Sequence, residues 1–151
     1  MTEDQKMGVS DFHRITAAFC NNEAWSLLET PDLDATQTVR LVTLAATARH
    51  HWHEVGTASN IAHADLLFGW ALARAGAGDA AMGAARASLT HFNKEGSVWD
   101  RAFAEAAMAA ACRASGDREG FARHYAQANT LGDELEEDDA VYFQAAFKTL
   151  G

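Results

Sequence analysis

Two alanine-rich helical pairs, each broken by glycine, stand back to back between about Asn60 and Leu131. The first runs from Ile61 to Ala75, stops at Gly76-Ala77-Gly78-Asp79 and resumes from Ala80 to Phe92. The second runs from Arg101 to Ser115, stops at Gly116-Asp117 and resumes from Arg118 to Leu131. Glycine supplies the left-handed residue that ends a helix, and aspartate caps the next one. A hairpin of this size cannot bury its apolar face alone, so a repeated hairpin predicts a stacked helical array. Such arrays present surfaces that bind other molecules more often than they house chemistry.

Composition points the same way. Alanine is abundant and β-branched residues are sparse, which favours helix because Ala loses least side-chain entropy there. The apolar share of 48% suits a folded chain, and 151 residues suffice for one domain spanning 1–151. The formal charge of -9 sets the surface against phosphate backbones and anionic membranes, so nucleic acid and membrane are excluded as partners. The opening Met1-Thr2-Glu3-Asp4-Gln5-Lys6 is charged and unlike a signal peptide, and no run is long enough to span a bilayer. Cys20 and Cys112 each lie in an apolar helical pattern, as buried thiols of a reducing cytoplasm do.

Periodicity predicts about seven helices and no strand. Phe12, Ile15, Phe19, Leu27 and Leu28 recur at helical spacing between Val9 and Glu29. Asp34 with Gln37 forms a capping box ahead of the stripe Leu41, Leu44, Ala45, Ala48, Trp52 and Val55. The third helix is apolar on two faces, one with Ile61, Phe68 and Leu72, the other with Leu66, Leu67 and Trp70. The fourth runs from about Asp79 to Asn93. Ser97 or Asp100 starts the fifth, whose run Ala106 to Ala111 lets neighbouring axes approach closely. Asp117 caps the sixth. Tyr142, Phe143, Ala146, Phe147 and Leu150 form the inner face of a closing helix. The acidic stretch Asp133 to Asp139 reads as a solvated loop leading into that helix.

The glycine-to-glycine spacing, about 38 or 40 residues depending on register, is near the 34-residue period of the tetratricopeptide (TPR) repeat. Gly69, Gly76, Ala81 and Ala85 fill that repeat's helix-crossing and break positions in the first unit, and Ala109, Gly116 and Tyr125 do so in the second, while Phe121 stands where it wants alanine. The chain resembles that repeat. The stretches Arg49-His50-His51-Trp52-His53-Glu54-Val55-Gly56, Asn60-Ile61-Ala62, Asp100-x-Ala102-Phe103-Ala104 and Gly116-Asp117-Arg118 also resemble a family of short, uncharacterised bacterial TPR-like proteins. The chain departs from that family at His50, His53, Trp70 and Phe121. The resemblance implies an all-α, right-handed stack of antiparallel helix hairpins with a C-terminal closing helix, and no assigned activity.

Two constellations could carry function. In a TPR-like stack the first helix of each hairpin lines the concave side. With the break at Gly76, that side receives His63, Leu66, Leu67, Trp70 and Arg74, followed by Phe103, Ala106, Ala110 and Arg113. An aromatic beside arginines suits a peptide or a carboxylate end; the plainer reading packs Trp70 as core. The second constellation is Arg49-His50-His51-Trp52-His53-Glu54. His50, His53 and Glu54 share one helix side and could hold a divalent metal with help from His13 or His63, although that side faces solvent and the spacing is not diagnostic. His51 flanks the apolar stripe, where it could bond to backbone at the turn before Asn60 or line a pocket. Nucleophile elbows and phosphate loops are absent from the sequence.

The leading expectation is thus a cytoplasmic, non-enzymatic interaction module that needs no cofactor. It would bind a protein or peptide, a second copy of itself included, through His51, Asn60, His63, Leu67, Trp70, Arg74, Phe103 and Arg113. The alternative is a small-ligand or metal-binding protein, enzymes included, with a pocket between the second and third helices formed by Arg49, His51, His53, Asn60 and His63.

Overall fold

A computed structural model describes residues 7–151 of the chain. The described residues form seven α-helices and no strand: α1 (Val9–Leu28), α2 (Ala35–Val55), α3 (Ala58–Arg74), α4 (Gly78–Glu95), α5 (Val98–Ser115), α6 (Arg118–Asp133) and α7 (Glu137–Phe147). A 3-10 turn, Lys148–Leu150, follows α7. The charged opening segment Met1–Lys6 lies outside the described residues.

Local chemistry starts and stops these helices. Asp34 accepts from the Gln37 amide at 2.7 Å, while Gln37 accepts from the Asp34 amide at 2.9 Å. Thr57 with Asn60 opens α3 by the same reciprocal device, and Ser97 with Asp100 opens α5. Each box satisfies two backbone donors that a helix start leaves free. Asp117 caps α6 by accepting from the Gly120 amide at 2.9 Å. Gly76 and Gly116 take φ of 80° and 79°, a conformation that side chains rarely adopt, so the first hairpin does break at Gly76.

Helices adjacent in sequence pack on one another, and α1, α3, α5 and α7 also touch in succession. Contacts fix the directions. His13 near the start of α1 meets His51 near the end of α2, and His63 near the start of α3 meets Phe92 near the end of α4. Those pairs therefore run antiparallel. Asp100 at the start of α5 meets His63 at the start of α3, so α3 and α5 run in the same direction, and the succession of contacts puts the odd-numbered helices in one layer. Each even-numbered helix packs against the odd-numbered helices before and after it.

Gly69 shows how tightly one hairpin closes. A Cβ there would lie 2.8 Å from the backbone nitrogen of Ala85 and 3.2 Å from the carbonyl oxygen of Ala81. Both alanines are fully buried. The α3–α4 crossing thus brings backbone against backbone, where any side chain would force the helices apart. At the centre, every residue of α5 from Ala102 to Cys112 is buried, and its alanine run lets α3, α4 and α6 all approach it.

One stripe lies on an unexpected side. Phe12, Ile15 and Phe19 are regularly spaced along α1, but they point outward; Phe12 is 52% and Phe19 60% exposed. The face that packs carries Ala17, Cys20, Ala24 and Leu28. On α2 the stripe falls as expected, with Leu41, Leu44, Ala45 and Ala48 buried. No helix among the described residues is long and apolar enough to cross a membrane.

Candidate functional site

A groove of about 570 Å3 opens on the odd-numbered layer. All four helices of that layer contribute to it: α1 through Trp25 and its C-cap Glu29, α3 through His63 and Leu66, α5 through Trp99 and Phe103, and α7 through Asp139 and Tyr142. Asn22 and Ser26 complete the α1 side. Trp25 and Trp99 are half-buried and Tyr142 is 65% exposed, so all three offer ring surface to a ligand.

The groove rests on a connected aromatic core. Phe103 is its hub, with ring centroids 5.4 Å from Trp25, 4.6 Å from Trp99 and 5.1 Å from Phe143. Trp25 in turn meets Trp70 edge to face at 6.2 Å. Each such pair adds about 0.5–1.5 kcal/mol beyond area burial. The visible rings are therefore held in place from behind.

His63 and Asp100 fix the groove's upper corner. The His63 Nε2 lies 3.1 Å from one Asp100 oxygen, and the other Asp100 oxygen accepts from the Ser97 amide at 3.1 Å. One carboxylate thus caps α5 and ties it to α3. Burial pushes the His63 pKa down from its ordinary value, Asp100 opposes that shift, and neighbouring His91 adds to it.

Of the residues expected to bind, only His63 and Phe103 reach this groove. Leu67 and Trp70 are fully buried behind it. Trp70 lies under Trp25 because α1 covers the C-terminal half of α3, and its indole nitrogen is buried without a hydrogen-bond partner. Arg74 closes the end of α1: its guanidinium donates to the carbonyls of Leu28 at 2.9 Å, Thr30 at 2.7 Å and Pro31 at 3.2 Å. The first of these ends a helix and the other two lie in the turn beyond it, and Arg74 supplies three bonds from one rigid fork. Asn60 is engaged in the α3 capping box. Arg113 lies over the Phe121 ring, 4.2 Å from its centroid, away from the groove.

His51 turns to α1 rather than to the α2–α3 turn. Its Nδ1 lies 2.7 Å from the Nδ1 of His13, which requires one ring to donate and the other to accept. Burial, His13 and His50 lower its pKa, and Glu54 opposes them. The other residues of that segment separate. Arg49 bonds the buried Asp65 at 2.7 Å, with His53 4.0 Å from the same oxygen, so both serve the α2–α3 seam. His50 packs edge to face on His51. Among the described residues, no group of three His, Cys, Asp or Glu side chains could hold a metal ion, so His50, His53 and Glu54 are not assembled into one. The groove and three smaller hollows take no residue from α2, so none of them is the pocket expected between α2 and α3.

The groove residues not named as candidates from the sequence are Asn22, Trp25, Ser26, Glu29, Trp99, Asp139 and Tyr142. Trp99 carried a signal, an aromatic in the first turn of an inner helix just after a capping residue. Trp25 would have followed from counting α1 among the groove's helices; Tyr142, expected on the packed face of the closing helix, is exposed instead. In comparisons with protein-family models, curated proteins and solved structures, the chain matches none.

Proposed function

We propose that the chain is a TPR-like, non-enzymatic interaction module of the cytoplasm that binds a segment of a partner protein in the groove of its odd-numbered layer. The observation that carries this reading is a single cavity of about 570 Å3 to which all four inner helices contribute. Its size suits a ligand of several side chains, and partly exposed tryptophan and tyrosine are the residues that most often anchor such contacts. The parallel α3 and α5 and the Gly69 crossing support a repeat stack, with the inner layer as the working surface. The test is selection from a displayed random-peptide library against wild-type protein and a Trp99→Ala variant. Peptides enriched by the first and lost by the second are expected; equal enrichment by both would remove the groove from consideration.

A second reading, self-association, has its own observation in the outward stripe Phe12, Ile15 and Phe19 on α1. A contiguous apolar face of this kind marks contact surfaces. Sedimentation of wild-type protein against Phe12→Ser with Phe19→Ser decides it: a dimer that the double variant abolishes supports this reading, and a wild-type monomer at high concentration removes it.

A further inference from the structure

The rim of the groove has a charge as well as a shape. Glu29, just past the end of α1, and Asp139 on α7 both line it, at the first and last helices of the odd-numbered layer. Among the described residues, none of the ten that line it is a lysine or an arginine. The same lining includes the rings of Trp25, Trp99, Phe103 and Tyr142. Aromatic rings attract cations through their quadrupole, and nearby carboxylates add direct attraction. An anionic ligand would meet two carboxylates and no counter-charge.

We propose that the groove takes a basic segment, an apolar stretch flanked by arginine or lysine side chains, with Glu29 and Asp139 receiving the flanking cations. This rests on the groove being the binding surface. A segment fits better than a free cation because the cavity of about 570 Å3 far exceeds one guanidinium or ammonium group. It also fits better than a second copy, since this chain carries 21 acidic residues against 12 lysines and arginines and would repel itself there.

The test uses fluorescence anisotropy with short labelled peptides sharing a Leu-Tyr-Leu core, flanked by arginine, lysine, norleucine or glutamate. The arginine and lysine peptides are expected to bind at least about tenfold more tightly than the norleucine peptide, and to weaken as salt rises from about 0.05 to 0.5 M. The double variant Glu29→Gln with Asp139→Asn is expected to erase that preference while keeping the affinity for the norleucine peptide. Its circular dichroism is expected to match wild type, because neither side chain is fully buried. Equal binding of the norleucine and arginine peptides, both lost in Trp99→Ala, overturns the charge preference and leaves the groove as the site. Binding of no peptide, or binding that survives Trp99→Ala, overturns the groove itself. Displacement by free arginine or tetramethylammonium at concentrations as low as the peptide's own overturns the segment in favour of a small cation.

Discussion

The two halves of α3 carry similar residues to different ends. The N-terminal half holds His63 and Leu66 at the groove; the C-terminal half holds Trp70 and Arg74 under α1. Each half has an aromatic neighbourhood and a group able to bond a ligand. What separates them is occupancy. Arg74 already bonds three carbonyls at the end of α1, and Trp70 already lies against Trp25. Around His63, parts of Trp25, Trp99 and Tyr142 remain uncovered. A helix face stays open where its neighbours leave ring surface uncovered, whatever its own composition.

The largest expected effect sits at the sealed half. Gly69→Val would drive a side chain into the Ala85 backbone, and a loss of about 2–3 kcal/mol in stability is expected by urea unfolding. A stability unchanged within error would mean the α3–α4 crossing is looser than described.

Arg74→Ala comes next. It strips the donors from the end of α1, at about 1.5–3 kcal/mol, while peptide affinity measured well below the unfolding midpoint should hold. The opposite pattern, affinity lost with stability kept, would place a ligand at Arg74 and dissolve the contrast between the halves. At the open half, Trp99→Ala is expected to cost at least about tenfold in peptide affinity and only about 1 kcal/mol in stability, since its ring packs on Phe103 but stays half-exposed.

The smallest effect is in pH. His63 has a lowered pKa when folded, so below its ordinary value of about 6.5 the unfolded chain binds the proton more readily. Its contribution to stability is full above that value and is lost as pH falls toward the folded pKa. His51 shifts in the same direction, so the two must be separated by variants. Comparing urea midpoints at about pH 7.5 and 5.5, His63→Gln should show a smaller drop than wild type. A drop of equal size would assign the titration to His51 or to other groups.

Much of this architecture was legible in the sequence because local chemistry carries it. The capping box at Asp34, the caps at Ser97 and Asp117, and the glycines at 76 and 116 act within a few residues of themselves. The small residues Gly69, Ala81 and Ala85 marked a real crossing. Depth was not legible. Periodicity places Trp70 on a face of α3 but cannot say that α1 lies over it. The outward turn of Phe12, Ile15 and Phe19 escaped for a related reason: small Ala17 and Ala24 let α1 approach α2 more closely than the bulky stripe would. Asp139 belonged to an acidic stretch read as solvated, and it acquires a neighbourhood only once α7 folds onto α5.

The four tryptophans allow one direct test. Trp25 and Trp99 line the groove, Trp70 is sealed beneath it, and Trp52 lies on α2, outside the inner layer. Titrating nitrogen-15-labelled protein with a basic peptide and following the four indole N–H signals by NMR reports on all of them at once. The expected result is that Trp25 and Trp99 move together, with Trp70 following weakly through its contact with Trp25 and Trp52 still. A shift confined to Trp52, or no shift at Trp25 and Trp99 under saturating peptide, would contradict the groove as the binding surface.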